Sequence, residues 1–196
     1  MIFETKLVPI SVFIPRVKIH IEEIDDGLVE AFLSDAIIKF LRDTKIFTET
    51  FCIPLDACKN SYKIVSAFPI VEIQSVIFHS NGNRINADKI LYRIYENTLY
   101  VENLPPFVEN LTADVKVVLS IPRDSDEVPE FLFEEWLEPI LALTLSKLYL
   151  ITDNEWYNRP AAETQMSLYE RYIKQVNFSK ITKYKPLHIT LSNKRR

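Results

Sequence analysis

The run Pro129-Glu-Phe-Leu-Phe-Glu-Glu-Trp-Leu-Glu-Pro-Ile-Leu-Ala-Leu-Thr-Leu-Ser-Lys-Leu-Tyr-Leu-Ile151 is the most apolar stretch of the chain, and its reading decides how the rest is arranged. Pro129 opens it where a missing amide costs nothing. Glu130, Glu134 and Glu135 suit the positive end of a helix dipole, and Lys147 the negative end. Phe133, Trp136, Leu137, Ile140, Leu141, Thr144, Leu145, Leu148 and Tyr149 recur at steps of three and four. Leu132, Leu143 and Leu150 fill the remaining faces, so the stretch predicts one helix over 129–151, covered on most sides. Its charges leave no apolar run of the roughly 20 residues that a membrane span requires.

Around this centre the chain supplies two more helical stripes. Val29, Leu33, Ala36, Ile37, Phe40 and Leu41 predict a helix over 24–43, with Asp25 or Asp26 as its cap. Ala162, Met166, Tyr169, Ile173 and Val176 predict another over 160–178, which Asn158 caps and Pro160 helps to begin. Between the first and the central helix, strand-like runs occupy 46–53, 61–65, 71–79, 90–95, 98–101 and 114–121. Asn81-Gly82-Asn83 is a strong hairpin signal and Glu96-Asn97 a weaker one. The period of two in Val17, Ile19 and Ile21, with Pro9 and Pro15, reads as an N-terminal arm or strand over 1–21. The expected fold is therefore α+β. A bundle of about three long helices over 22–178 carries a small antiparallel sheet or sandwich inserted at 46–122, with extended arms at 1–21 and 179–196.

Composition narrows the function. Hydrophobic residues make up 47% of the 196, enough for a core, and only 2 are glycine, too few for a glycine-cradled phosphate loop. Cys52 and Cys58 cannot build a disulfide framework, and no metal spacing accompanies them. His20, His79 and His188 are scattered, no GxSxG or HExxH occurs, and the acid pairs Glu22-Glu23, Asp25-Asp26 and Glu134-Glu135 read as helix-start acids. Neither an enzyme nor a cofactor is expected. Met1–Lys6 lacks a signal-peptide pattern, so secretion is not expected.

Charge is divided unevenly. The first 170 residues hold 15 basic against 27 acidic, a net of −12, while the last 26 carry eight basic residues and no acid. Such a tail seeks an acidic partner, a phosphate backbone or the acidic face of a neighbouring copy, and it also suits a protein groove that is partly acidic and partly apolar. The protein groove is the better match, because apolar residues separate the cations. A second reading is a sheet-based module for carbohydrate or nucleic acid, resting on Tyr92, Tyr95, Tyr100 and the basic tail.

The order of segments resembles one family. Leu33-Ser-Asp-Ala-Ile-Ile-Lys-Phe40 followed by Thr44-Lys-Ile-Phe-Thr-Glu-Thr50, the turn Ser80-Asn-Gly-Asn-Arg-Ile85, Leu119-Ser-Ile-Pro-Arg-Asp124, Val128-Pro-Glu-Phe-Leu-Phe-Glu-Glu-Trp136, and Asn154-Glu-Trp-Tyr-Asn158 with Tyr169 are similar to motifs of the head-to-tail adaptor, or connector, proteins of short-tailed bacteriophages. The similarity spans about residues 23–178. It departs from the family where leucines replace small residues in the central helix and Glu155 replaces a proline. The resemblance implies a non-enzymatic virion protein, made in the host cytoplasm and assembled at the portal–tail junction. It implies a dodecameric ring that joins the portal protein above to a tail nozzle or tube protein below. DNA passes through its channel without sequence-specific contact, and no membrane is involved. It further implies that the C-terminal arm engages the portal, a role falling on Lys180, Lys183, Lys185, Pro186, Leu187, Ile189, Lys194, Arg195 and Arg196.

Overall fold

A computed structural model of the chain describes residues 5–56, 58–85, 90–102, 110–152 and 154–184, with 180–184 described by their backbone alone. It is a mixed α+β protein in two units, one formed by Met1–Ala36 with Pro129–Arg196 and the other by Ile37–Val128. Among the described residues there are five α-helices and nine strands in three antiparallel sheets. The expected bundle of about three long helices with a small inserted sheet is therefore wrong. Seven of the nine strands lie in 48–119, where they build a core of their own instead of decorating a helical one.

The helical unit departs from expectation first at its N-terminus. Of the arm or strand expected over 1–21, residues 7–9 are a strand and residues 10–18 are helical. Strand β1 (Leu7–Pro9) pairs with β9 (Glu127–Pro129), a 3-10 turn covers Ile10–Phe13, and α1 (Ile14–Lys18) follows with Pro15 in its first turn. Ile10, Phe13, Ile14, Val17, Ile21 and Ile24 are buried, whereas Ile19 is 69% exposed. The spacing of three and four governs here, and the alternation of Val17, Ile19 and Ile21 was coincidental. Helix α2 (Asp26–Thr44) begins where Asp25 Oδ1 accepts the Leu28 amide at 2.9 Å.

The central apolar stretch is also not one helix. It is divided into α3 (Phe131–Glu134) and α4 (Leu137–Leu148), and Trp136 leaves helical geometry between them at φ −125° and ψ 20°. Pro139 is the cause. In a continuous helix its ring would collide with the carbonyl of Glu135 four residues earlier. Restarting at Leu137 places Pro139 in a first turn, where its missing amide has no intrahelical partner to lose. Nine of the twelve residues of α4 are buried, and its two buried hydroxyls bond within the helix, Thr144 to the Ile140 carbonyl at 2.8 Å and Ser146 to that of Leu143 at 2.7 Å. Helix α5 (Arg159–Tyr184) starts at an Asn158 cap, whose Oδ1 accepts the Ala161 amide at 3.1 Å. Ala162, Tyr169 and Val176 form its buried seam against α4. It runs six residues past the expected end. At 1.5 Å per residue it is about 39 Å long against about 18 Å for α4.

The strand unit holds two sheets. The first has the order β2 (Thr48–Pro54), β8 (Leu111–Leu119), β4 (Ile70–Ser80), β5 (Asn83–Arg84), and the second β3 (Ser61–Lys63), β7 (Thr98–Glu102), β6 (Leu91–Tyr95). Both hairpin signals are realised. Asn81 and Gly82 take φ of 49° and 78° between His79↔Arg84 and Ser80↔Asn83, and Glu96 and Asn97 take 44° and 59° beside Tyr95↔Thr98. The second turn does this without glycine. Phe78, Leu99, Val101, Ala113, Val115 and Val117 are buried as the core of this unit. Phe78 of the first sheet meets Tyr92 of the second edge to face, with ring centroids 5.6 Å apart.

Candidate interaction surface

The nine arm residues assigned to portal contact divide at the end of α5. Lys180 and Lys183 lie on the helix backbone rather than on an extended arm. Lys185, Pro186, Leu187, Ile189, Lys194, Arg195 and Arg196 fall outside the described residues.

The described residues bring one thiol, one imidazole and one carboxylate together. Cys52 on β2 stands opposite Asp114 on β8, and His79 on β4 places Nε2 3.1 Å from Asp114 Oδ2 without reaching hydrogen-bond geometry. The carboxylate sits between thiol and imidazole. A nucleophilic site needs the imidazole in the middle, taking the thiol proton and being oriented by the acid. Desolvation pushes the Cys52 thiol up, and Asp114 pushes it further through a hydrogen bond and its charge, which disfavours the reactive thiolate. No group of three or more His, Cys, Asp or Glu among the described residues is arranged to hold a metal ion.

The exposed apolar surface is concentrated on β6. All five of its residues are exposed, and among the described residues no strand pairs with its outer edge. Alternation places Leu91, Arg93 and Tyr95 on the solvent face of the sheet and Tyr92 and Ile94 on the face turned toward the first sheet. The three tyrosines proposed as a binding platform therefore do not share one face. Tyr92 packs on Phe78, while Tyr100 lies on the opposite face under the Arg93 guanidinium, 5.3 Å from the ring centroid.

Beside β6 the two sheets leave a groove of about 340 Å³, lined by Ile70, Val71, Glu72, Ile73, Ile94, Glu96 and Asn97. Its lining is isoleucine and valine with two carboxylates, of which Glu72 pairs with Lys45. The sequence carried a sign of this edge. Ile90-Leu-Tyr-Arg-Ile-Tyr95 is apolar on both phases of a strand, more than one buried face can use.

A second concavity of about 550 Å³ lies in the helical unit, lined by Ser11, Ile14, Pro15, Lys18, Ile19 and Asp26. Exposed Glu22, Glu23, Asp25 and Glu30 follow on the same segment and make it strongly acidic. No described helix is long and apolar enough to cross a membrane. No protein-family model and no curated protein sequence matches the chain.

Proposed function

We propose that the chain is a structural subunit of a phage head-to-tail adaptor, a ring of copies standing between the portal and the tail. One observation carries this reading, the edge of β6 that no strand pairs among the described residues, with Leu91, Tyr92, Ile94 and Tyr95 exposed around it. A free, apolar strand edge is an invitation to another chain, and soluble monomers normally blunt it with charge, proline or a covering loop. The charge division supports the same reading. An acidic body lines a channel without gripping the DNA that slides through it, and a basic C-terminal segment finds an acidic groove on the portal. The ring is a dodecamer, the tail nozzle or tube protein binds beneath it, and it performs no catalysis.

The test is electron microscopy of the purified protein mixed with its portal. A ring seated on the portal, lost on deletion of residues 185–196, is the expected result. The cut leaves α5 whole, so a cooperative melt of the deleted protein shows that its fold survives. A deletion that docks as well as the full chain overturns the role of the arm, and absence of any ring overturns the adaptor reading.

A further inference from the structure

The groove beside β6 specifies what fits it. Ile70, Val71, Ile73 and Ile94 in its lining take apolar side chains, the edge of β6 that no described strand covers presents main-chain donors and acceptors, and Glu96 adds negative charge beside the Glu72–Lys45 pair. The complementary ligand is an extended peptide, apolar at every second position and basic at its ends.

One segment of this chain has that composition and lies outside the described residues. In Lys185-Pro-Leu-His-Ile-Thr-Leu-Ser-Asn-Lys-Arg-Arg196, Leu187, Ile189 and Leu191 alternate with His188, Thr190 and Ser192. Lys185 precedes the alternation, and Lys194, Arg195 and Arg196 follow it. Pro186 stands where a strand tolerates it, at the beginning. Leu187–Leu191 has the same five-residue length as β6, about 17 Å of strand. The twelve residues after Tyr184 span up to about 40 Å, enough to leave their own subunit.

We infer that Leu187–Leu191 of one copy adds as a strand to the outer edge of β6 in a second copy. Leu187, Ile189 and Leu191 cover the apolar lining of the groove, and a flanking cation meets Glu96. The inference rests on the ring reading and deepens it. Each copy carries one donor strand and one acceptor edge, a head-to-tail contact that closes into a ring when the rotation allows. The arm then has two tasks, its apolar part on the neighbour and its remaining positive charge toward the portal. A single five-residue strand is a small interface, so the link is weak in dilute solution and strengthens when a portal gathers the copies.

The full-length protein tests this without any portal. Sedimentation across a concentration series is compared for the wild type, Ile189→Asp, which spoils the donor, and Ile94→Asp, which spoils the acceptor. The wild type associates progressively, each variant stays monomeric, and an equimolar mixture of the two forms dimers and stops there, because one live donor meets one live acceptor. Hydrogen exchange on the wild type reads the same edge without any substitution. The amides of Leu91–Tyr95 that do not bond β7 gain at least tenfold protection as concentration rises, and Ile189→Asp loses that gain.

Association that survives Ile189→Asp overturns the inference in favour of another occupant. Protection of β6 that does not depend on concentration overturns it in favour of docking within one copy. Two variants that fail to pair, although each melts like the wild type, overturn it as well. The adaptor reading fails in a different sample, on the portal, so the two failures are told apart.

Discussion

Lys6 holds Glu130 twice. Its carbonyl accepts the Glu130 amide at 2.9 Å, and its ammonium pairs with the Glu130 carboxylate. The segment before α1 is thereby registered against the start of α3, and Phe13 reaches Phe133 edge to face with centroids 5.2 Å apart. The N-terminal residues are part of the helical core. Phe13→Ala is expected to cost about 3–5 kcal/mol in urea unfolding, whereas Ile19→Ala, at an exposed position, changes stability by no more than about 0.5 kcal/mol. Similar small values for both would return the segment to the status of an arm.

Alkaline pH should loosen the fold through Tyr149. Burial raises its phenol above the ordinary 10.0. Below pH 10.0 both states keep the proton and stability does not depend on this group. Above it the unfolded chain releases the proton first, so stability falls as pH rises toward the folded value. Lys6 acts with the same sign above 10.5, because the hydrogen bond and charge of Glu130 raise its pKa. The thermal midpoint of Tyr149→Phe is therefore expected to fall less steeply than that of the wild type above pH 10. Parallel curves would remove Tyr149 from the account.

The two capped helix starts give a matched pair of tests. Asp25→Ala and Asn158→Ala each remove a side-chain acceptor from an N-terminal amide, and each is expected to cost about 1 kcal/mol by circular dichroism melts. Asn158→Asp retains the acceptor and should leave the midpoint nearly unchanged.

The turn between β6 and β7 offers a stabilising change. Glu96 occupies the left-handed region at φ 44°, a conformation that costs a residue of this kind about 1–2 kcal/mol. Replacing Glu96-Asn97 by Asn-Gly supplies the pair such turns prefer and should stabilise the unit by about 1 kcal/mol. A lower melting midpoint in the double variant would count against the turn geometry.

Local chemistry was legible in the sequence, and non-local arrangement was not. Asp25, Asn158, Asn81-Gly82 and Glu96-Asn97 announced caps and turns because each acts within four residues of itself. Pro139 announced a break that the density of leucines around it concealed, since hydrophobic spacing says nothing about a proline ring and the carbonyl of Glu135. The strands were found, but their partners were not. Nothing in the period of 111–119 says that β8 lies between β2 and β4 or that seven strands make two sheets with a separate core. Of the candidate surface, the basic tail was evident from its charge. The groove at Ile70, Ile73 and Ile94 was not, because it exists only once two sheets from different parts of the chain face each other.

The place of β8 also sets an order of events during synthesis. Its partners β2 and β4 are complete by Ser80, yet both wait for Leu111–Leu119, and β1 waits longer still for β9. At about 5–20 residues per second, a ribosome needs on the order of several seconds to travel from Pro54 to Leu119. Throughout that interval β2 hangs from it without its mate, and β4 has only the two residues of β5 along one edge. A message truncated before codon 111 would release a polypeptide with no means of completing either edge, material for chaperones or for inclusion bodies.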